Sequence, residues 1–195
     1  MPNAVPLLDL DLDGQLYVFA YGSLIWRPGF PHDQAHPALL RGFHRRFCLW
    51  SRHYRGTAEA PGLVLGLDRG GACRGVAFRV PGPAAAAVLA YLEERENPAG
   101  DAVYHRRTLP VRLLDSGRSV RAVTYLANRR HPAYCRPPAE DAARVIACGI
   151  GVTGPNRDYL HNTVTFLRDL GVRDSALERI VALLATTDSP AFIVE

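Results

Sequence analysis

Several stretches of this 195-residue sequence combine residue types that can do chemistry. The first is Val18-Phe19-Ala20-Tyr21-Gly22-Ser23-Leu24-Ile25, an apolar, β-prone run that breaks at Gly-Ser and resumes as Leu24-Ile25-Trp26. Glycine gives the backbone freedom and leaves room for a ligand to approach main-chain N–H groups. The segment reads as a strand delivering a ligand-gripping loop, or equally as a tight turn or bulge in a sheet. The second stretch is the acidic helix end Glu93-Glu94-Arg95-Glu96. A helix C-terminus carries about half a negative charge, so a carboxylate there costs roughly 0.3–1 kcal/mol. Partial burial would raise its pKa and suit it to general-base work near neutral pH. Helical spacing brings Glu93 and Glu96 together and turns Glu94 away, toward solvent. A fully solvated acidic helix end is the alternative.

Two further segments hold anion-binding residue types. Ser51-Arg52-His53-Tyr54-Arg55-Gly56-Thr57-Ala58-Glu59 offers Arg52 and Arg55, and arginine clamps carboxylates in bidentate fashion. A polar surface loop reads equally well. Gly149–Asn156 is a glycine-rich turn entering a helix, where free N–H groups could meet an anion, but it lacks the lysine and spacing of a phosphate loop.

Composition excludes other chemistries. The 23 basic residues are all arginine, so a Schiff-base lysine is ruled out. The seven histidines form no metal-ligand spacing, and there is no GxSxG nucleophile elbow. Cys48, Cys73, Cys135 and Cys148 include no CxxC pair, and buried, inert thiols are expected. Net charge is +4 with a pI of about 9.1. The arginines are interspersed with acids, so the balance reads as a solvated basic surface. No apolar run approaches the ~20 residues of a membrane span, and the N-terminus lacks signal-peptide features. A cytoplasmic protein is the expectation.

The elements that must position these residues are strands first and helices later. Strand patterns cover Leu16–Tyr21, Phe43–Ser51, Leu63–Leu67, Arg74–Val80, Val103–Leu114 and Ser119–Leu126, with a hairpin turn at Asp115-Ser116-Gly117. One helix interrupts them, with Pro83 in its first turn, a run from Ala84 to Glu96, and a stop at Asn97-Pro98. Helices Ala139–Cys148, Arg157–Leu170 and Ala176–Ala185 follow, with Asn156 as an expected N-cap and Asp174–Glu178 as a capping box. The fold class is α+β, a small mixed or antiparallel barrel with flanking helices, in a single domain preceded by a loose lead-in over residues 1–15.

In order along the chain, VFAYGSLIWRPGF, GFHRRFCLWSRHYRGTAEAPGLVLGL, RGVAFRV, YLEERE and GVTGPNRDYL resemble the ChaC family of γ-glutamylcyclotransferases from about residue 17 to about residue 180. The resemblance implies an enzyme that cleaves glutathione to 5-oxoproline and cysteinylglycine without metal or cofactor. It places the substrate-holding loop on Ala20, Tyr21, Gly22, Ser23, Leu24 and Ile25, and the catalytic glutamate on Glu96. Arg52, Arg55 and Tyr104 are further candidate substrate contacts. Ala20 stands where the family usually has glycine, and the segment between Glu96 and Tyr104 is longer than usual. The implied partner is a small γ-glutamyl peptide, with neither nucleic acid nor membrane. Two alternatives stand beside glutathione cleavage. One is a cyclotransferase for other γ-glutamyl peptides or amines. The other is a non-catalytic binder of acidic ligands or RNA that uses Arg45-Arg46-Phe47.

Overall fold

A computed structural model describes residues 9–187. Five strands, β1 (Leu16–Ala20), β2 (Gln34–Ser51), β3 (Gly62–Val80), β4 (Tyr104–Leu113) and β5 (Ser119–Ala127), close into a barrel in the order β1-β3-β2-β4-β5. β1–β3, β2–β4 and β4–β5 pair antiparallel, whereas β5 meets β1 in parallel, so the barrel is mixed. All five residues of β1 are buried, which is why it reads as a continuous apolar run rather than an alternation. Helix α1 (Ala85–Glu96) buries Ala85, Val88, Leu89 and Leu92, the spacing of one helical face. It ends where expected, at Asn97-Pro98. Then come α2 (Ala139–Cys148), the two-residue strands β6 (Ile150–Gly151) and β7 (Gly154–Pro155), α3 (Asn156–Asp169) and α4 (Ser175–Thr187). The α+β barrel with helices is the expected class.

The chain divides into two compact units. The first holds the chain up to Arg45 and Gly66–Tyr134, and its core includes Tyr17, Phe19, Leu40, Leu92, Leu113 and Val123. The second holds Arg46–Leu65 and the chain from Cys135 onward. There α2, α3 and α4 pack on one another and bury Ile146, Leu160, Leu167 and Leu177. Among the described residues no helix is long and apolar enough to cross a membrane.

Several expectations are corrected. β2 begins at Gln34 rather than Phe43, because Ala38–Leu40 pairs with Val111–Leu113 despite Pro37 and a left-handed Gly42. The two strands expected at 63–67 and 74–80 are one strand, bent where Gly70 and Gly71 take φ of +100° and +69°. The lead-in over residues 1–8 lies outside the described residues, but residues 9–15 are held rather than loose. Thr108 Oγ1 donates to Asp9 at 2.6 Å, and the Arg121 amide donates to Asp11 at 2.9 Å. Asn156 does not cap α3. It belongs to the helix, and its side chain bonds the Leu63 amide at 2.7 Å and carbonyl at 2.8 Å. Cys48 and Cys73 are buried as expected, whereas Cys148 is exposed.

Candidate active site

β1 delivers the chain to Tyr21, where two long-range bonds fix it. Arg45, only 4% exposed, donates from Nε to the Tyr21 carbonyl and from Nη2 to the Arg74 carbonyl. The Tyr21 hydroxyl donates to the Tyr125 carbonyl at 2.8 Å. Ser23–Ile25 then forms one 3-10 turn, with the Ile25 amide bonded to the Gly22 carbonyl at 2.9 Å. The leading amides of a helical turn, here those of Ser23 and Leu24, have no acceptor within the turn. Gly22 has φ −124°, so the left-handed freedom of glycine is not what this turn uses. The left-handed glycine is Gly29, at φ +73°, where a Cβ would lie 2.2 Å from the Tyr91 hydroxyl.

Arg95 ties this loop to the end of α1. Its Nη2 donates to Ser23 Oγ at 3.0 Å, and its Nη1 donates to the carbonyls of Arg27 at 2.8 Å and Pro28 at 3.2 Å. Its Nε sits 3.6 Å from Glu96 Oε1. Glu96 keeps 14% of its side-chain surface exposed, and its carboxylate makes no hydrogen bond among the described residues. Burial pushes its pKa up to about 7, with the Arg95 charge pulling down and Glu93 pushing up. The loop and Glu96, far apart in sequence, are brought together through one guanidinium.

Glu93 contrasts with Glu96. Asn97 Nδ2 donates to its Oε1 at 2.8 Å, the Tyr125 hydroxyl donates to its Oε2 at 3.3 Å, and Arg106 Nη1 lies 3.6 Å away. Burial, then the Glu93 charge, drives the Tyr125 hydroxyl pKa well above the usual phenol range, so it is a donor at all ordinary pH. Glu94 is exposed, as the helical spacing predicts. Asn97 also accepts from the Tyr104 amide at 2.9 Å, which anchors the start of β4 to the helix end despite the longer connection. Tyr125, Arg106 and Asn97 carry no local signature in sequence. Only the 106–125 register of β4 and β5 brings the first two together.

Arg52, Arg55 and the Gly149–Asn156 turn lie in the second unit. Arg52 is exposed. Arg55 is buried, with Nη1 donating to the carbonyls of Thr153 at 2.9 Å and Pro155 at 3.1 Å and its guanidinium over the Tyr159 ring. The Gly149–Asn156 turn is not an anion cradle. The amides of Val152, Thr153 and Asn156 are spent on the carbonyls of His53, Tyr54 and Gly149. The basic patch suggested for an RNA or acidic-ligand binder is likewise consumed. Arg45 and Phe47 are buried, and Arg46 Nη2 bonds the Pro137 carbonyl at 3.3 Å.

A mixed barrel with a strand-end loop clamped beside a buried glutamate agrees with the similarity of this chain to known proteins. The ChaC-like protein family model matches residues 16–187, and the chain belongs to that family. It is 35% identical to the glutathione-specific γ-glutamylcyclotransferase of Escherichia coli over 87% of this chain and 72% of that protein. It is 33% identical to the human glutathione-specific γ-glutamylcyclotransferase 1 over 88% of this chain and 79% of that protein. Its fold matches the crystal structure of a yeast γ-glutamyl cyclotransferase specific to glutathione with a TM-score of 0.77, at 24% identity, over 89% of this chain and 99% of the other.

Proposed function

We propose that this chain is a γ-glutamylcyclotransferase acting on glutathione, releasing 5-oxoproline and cysteinylglycine. The observation that carries the reading is Glu96. It is a mostly buried carboxyl with a pKa of about 7, joined by Arg95 to a loop whose leading amides face no acceptor in their own turn. Family membership and relatives named for this reaction support the substrate.

The chemistry follows from these groups. The substrate α-amine attacks its own γ-carbonyl, so the α-nitrogen–carbon bond forms as the amide carbon–nitrogen bond breaks. Glu96 takes a proton from the attacking ammonium and returns one to the departing cysteinyl nitrogen. A group poised near neutrality can do both. The loop amides at Ser23 and Leu24 hold the substrate carboxylate or the developing oxyanion. Since nucleophile and electrophile share one molecule, the loop contributes mainly by folding the γ-glutamyl chain toward a ring, where effective molarities reach about 10⁵ M or more. Ala20, Tyr21 and Ile25 shape that loop, with Tyr104 beside the helix end. Arg52 is exposed and stays a candidate for a substrate carboxylate, whereas Nη1 of Arg55 is already bonded to main-chain carbonyls.

The test is 5-oxoproline release from glutathione by purified wild type and Glu96→Gln. The variant should keep its fold by circular dichroism and lose about 10²–10⁴-fold in rate. Equal rates would remove Glu96 from the mechanism. Release only from other γ-glutamyl compounds would keep the chemistry and replace the substrate.

A further inference from the structure

A concave site lies in the first unit, apart from Glu96. A cavity of about 280 Å³ is floored by Phe43, Leu67 and Leu126 and rimmed by Arg69, Arg107, Arg129 and Arg130. Register separates it from the residues around Glu93. In the β4–β5 ladder His105 opposes Leu126, and Arg106 opposes Tyr125. Successive residues of a strand point to opposite faces, so Arg107, His105 and Leu126 share one face while Arg106 and Tyr125 take the other. The cavity shares no residue with the Glu96 site.

Its charge is built rather than incidental. Asp68 is 1% exposed, and its two oxygens accept from Arg129 Nε at 2.7 Å and the Tyr134 hydroxyl at 3.0 Å. That buried carboxylate fixes Arg129 at the rim and is neutralised by it. Among the described residues no carboxylate pairs with Arg69, Arg107 or Arg130, leaving three positive charges around one concavity. Arg107 is steadied by a bond from Nη1 to the Arg106 carbonyl at 2.9 Å.

Like charges gathered around a hollow repel unless an anion sits among them. Arginine forks match phosphate oxygens in bidentate geometry, and three such charges exceed what one carboxylate neutralises. The volume is near the lower end of small-ligand pockets, about 300 Å³, and the apolar floor suits a compact organic group. We propose that this cavity binds a small diphosphate-bearing molecule, at a site separate from the one that holds Glu96.

The experiment is calorimetric titration of the full chain with inorganic pyrophosphate at low and at physiological salt. Saturable one-to-one binding that weakens with salt is expected. Arg107→Ala/Arg130→Ala, at exposed positions and checked for fold by circular dichroism, should weaken it about tenfold or more. Arg41→Ala/Arg112→Ala, outside the cavity, should leave it unchanged. Glu96→Gln should bind as wild type does, and glutathione should not compete, so the result stands apart from the catalytic reading. No saturable binding, an unaffected Arg107/Arg130 variant, or competition by glutathione would overturn the proposal. So would a single-stranded RNA oligonucleotide that binds more tightly than pyrophosphate and depends on the same arginines.

Discussion

Each unit of the molecule contains an arginine that clamps a turn, and the two clamps are built alike. Arg95 donates to the carbonyls of Arg27 and Pro28 and lies over Tyr91. Arg55 donates to the carbonyls of Thr153 and Pro155 and lies over Tyr159. What they serve differs. The turn held by Arg55 spends its amides on the backbone of His53 and Tyr54, and Arg55 Nη1 is itself spent on main-chain carbonyls. The turn held by Arg95 begins with amides that have no acceptor inside it, and the same arginine stands beside Glu96. The second clamp, at Arg55, closes a structural joint, whereas the first, at Arg95, prepares a place for a ligand and a group to act on it. Arginine and glycine-containing turn alone do not distinguish the two. The carboxyl and the spare amides do.

The largest consequence of that difference is a pH-dependent stability that Glu96 alone should produce. Its folded pKa of about 7 lies above the ordinary 4.5. Between those values the folded chain holds a proton that the unfolded chain has released, so stability falls as pH rises through this window. At 1.36 kcal/mol per pKa unit the loss is up to about 3 kcal/mol, complete above the folded pKa. Urea unfolding of wild type and Glu96→Gln at pH 5 and pH 8 measures it. The variant should be more stable than wild type at pH 8 and lose the decline. Parallel pH curves for the two proteins would show that Glu96 is not held in the protonation balance described here.

The second clamp should respond in stability. Arg55→Ala removes a buried guanidinium that holds two turn carbonyls and covers the Tyr159 ring, at a cost of about 2 kcal/mol. The expected result is a lowered urea midpoint with unchanged slope. A midpoint equal to wild type, with a raised KM for glutathione, would instead make Arg55 a substrate contact and break the contrast between the clamps.

Much of this was legible in sequence where the signal is local. The buried stripe of α1, its stop at Asn97-Pro98 and the extent of α2 follow from spacing and from residues that begin or end helices. The acidic helix end stands out because a carboxylate at a helix C-terminus is electrostatically misplaced, but it is the family resemblance that singles out Glu96 there. The first half of β2 was hidden by Pro37, and the continuity of β3 by the left-handed Gly70 and Gly71, since both signals ordinarily end a strand. The surroundings of Glu93 were illegible for another reason: Tyr125 arrives from 32 residues away, and register rather than pattern aims it. The Arg55-Gly56 and Pro61-Gly62 pairs show a third case, since a Cβ on Gly62 would lie 2.1 Å from the Arg55 carbonyl. Those glycines record a close approach of backbones, which in sequence looks the same as a ligand loop.

The smallest effect is the most discriminating, because it separates charge from geometry within the first clamp. Arg95 lowers the Glu96 pKa, so Arg95→Ala should raise it beyond about 7 and reduce the ionised fraction at neutral pH. The acid limb of the kcat/KM profile for 5-oxoproline release should move to higher pH, and a limb displaced by about one pH unit lowers the rate on its acid side about tenfold. Arg95→Lys keeps the positive charge but lacks the planar fork that spans Ser23 Oγ and the carbonyls of Arg27 and Pro28. It should leave the acid limb close to wild type while raising KM through a looser loop. If both variants lose rate with the limb unmoved, Arg95 only braces the loop, and the first clamp differs from the second solely in leading amides that have no acceptor within the turn. If the alanine variant alone moves the limb, one guanidinium both shapes the turn and sets the proton affinity of the group that works beside it.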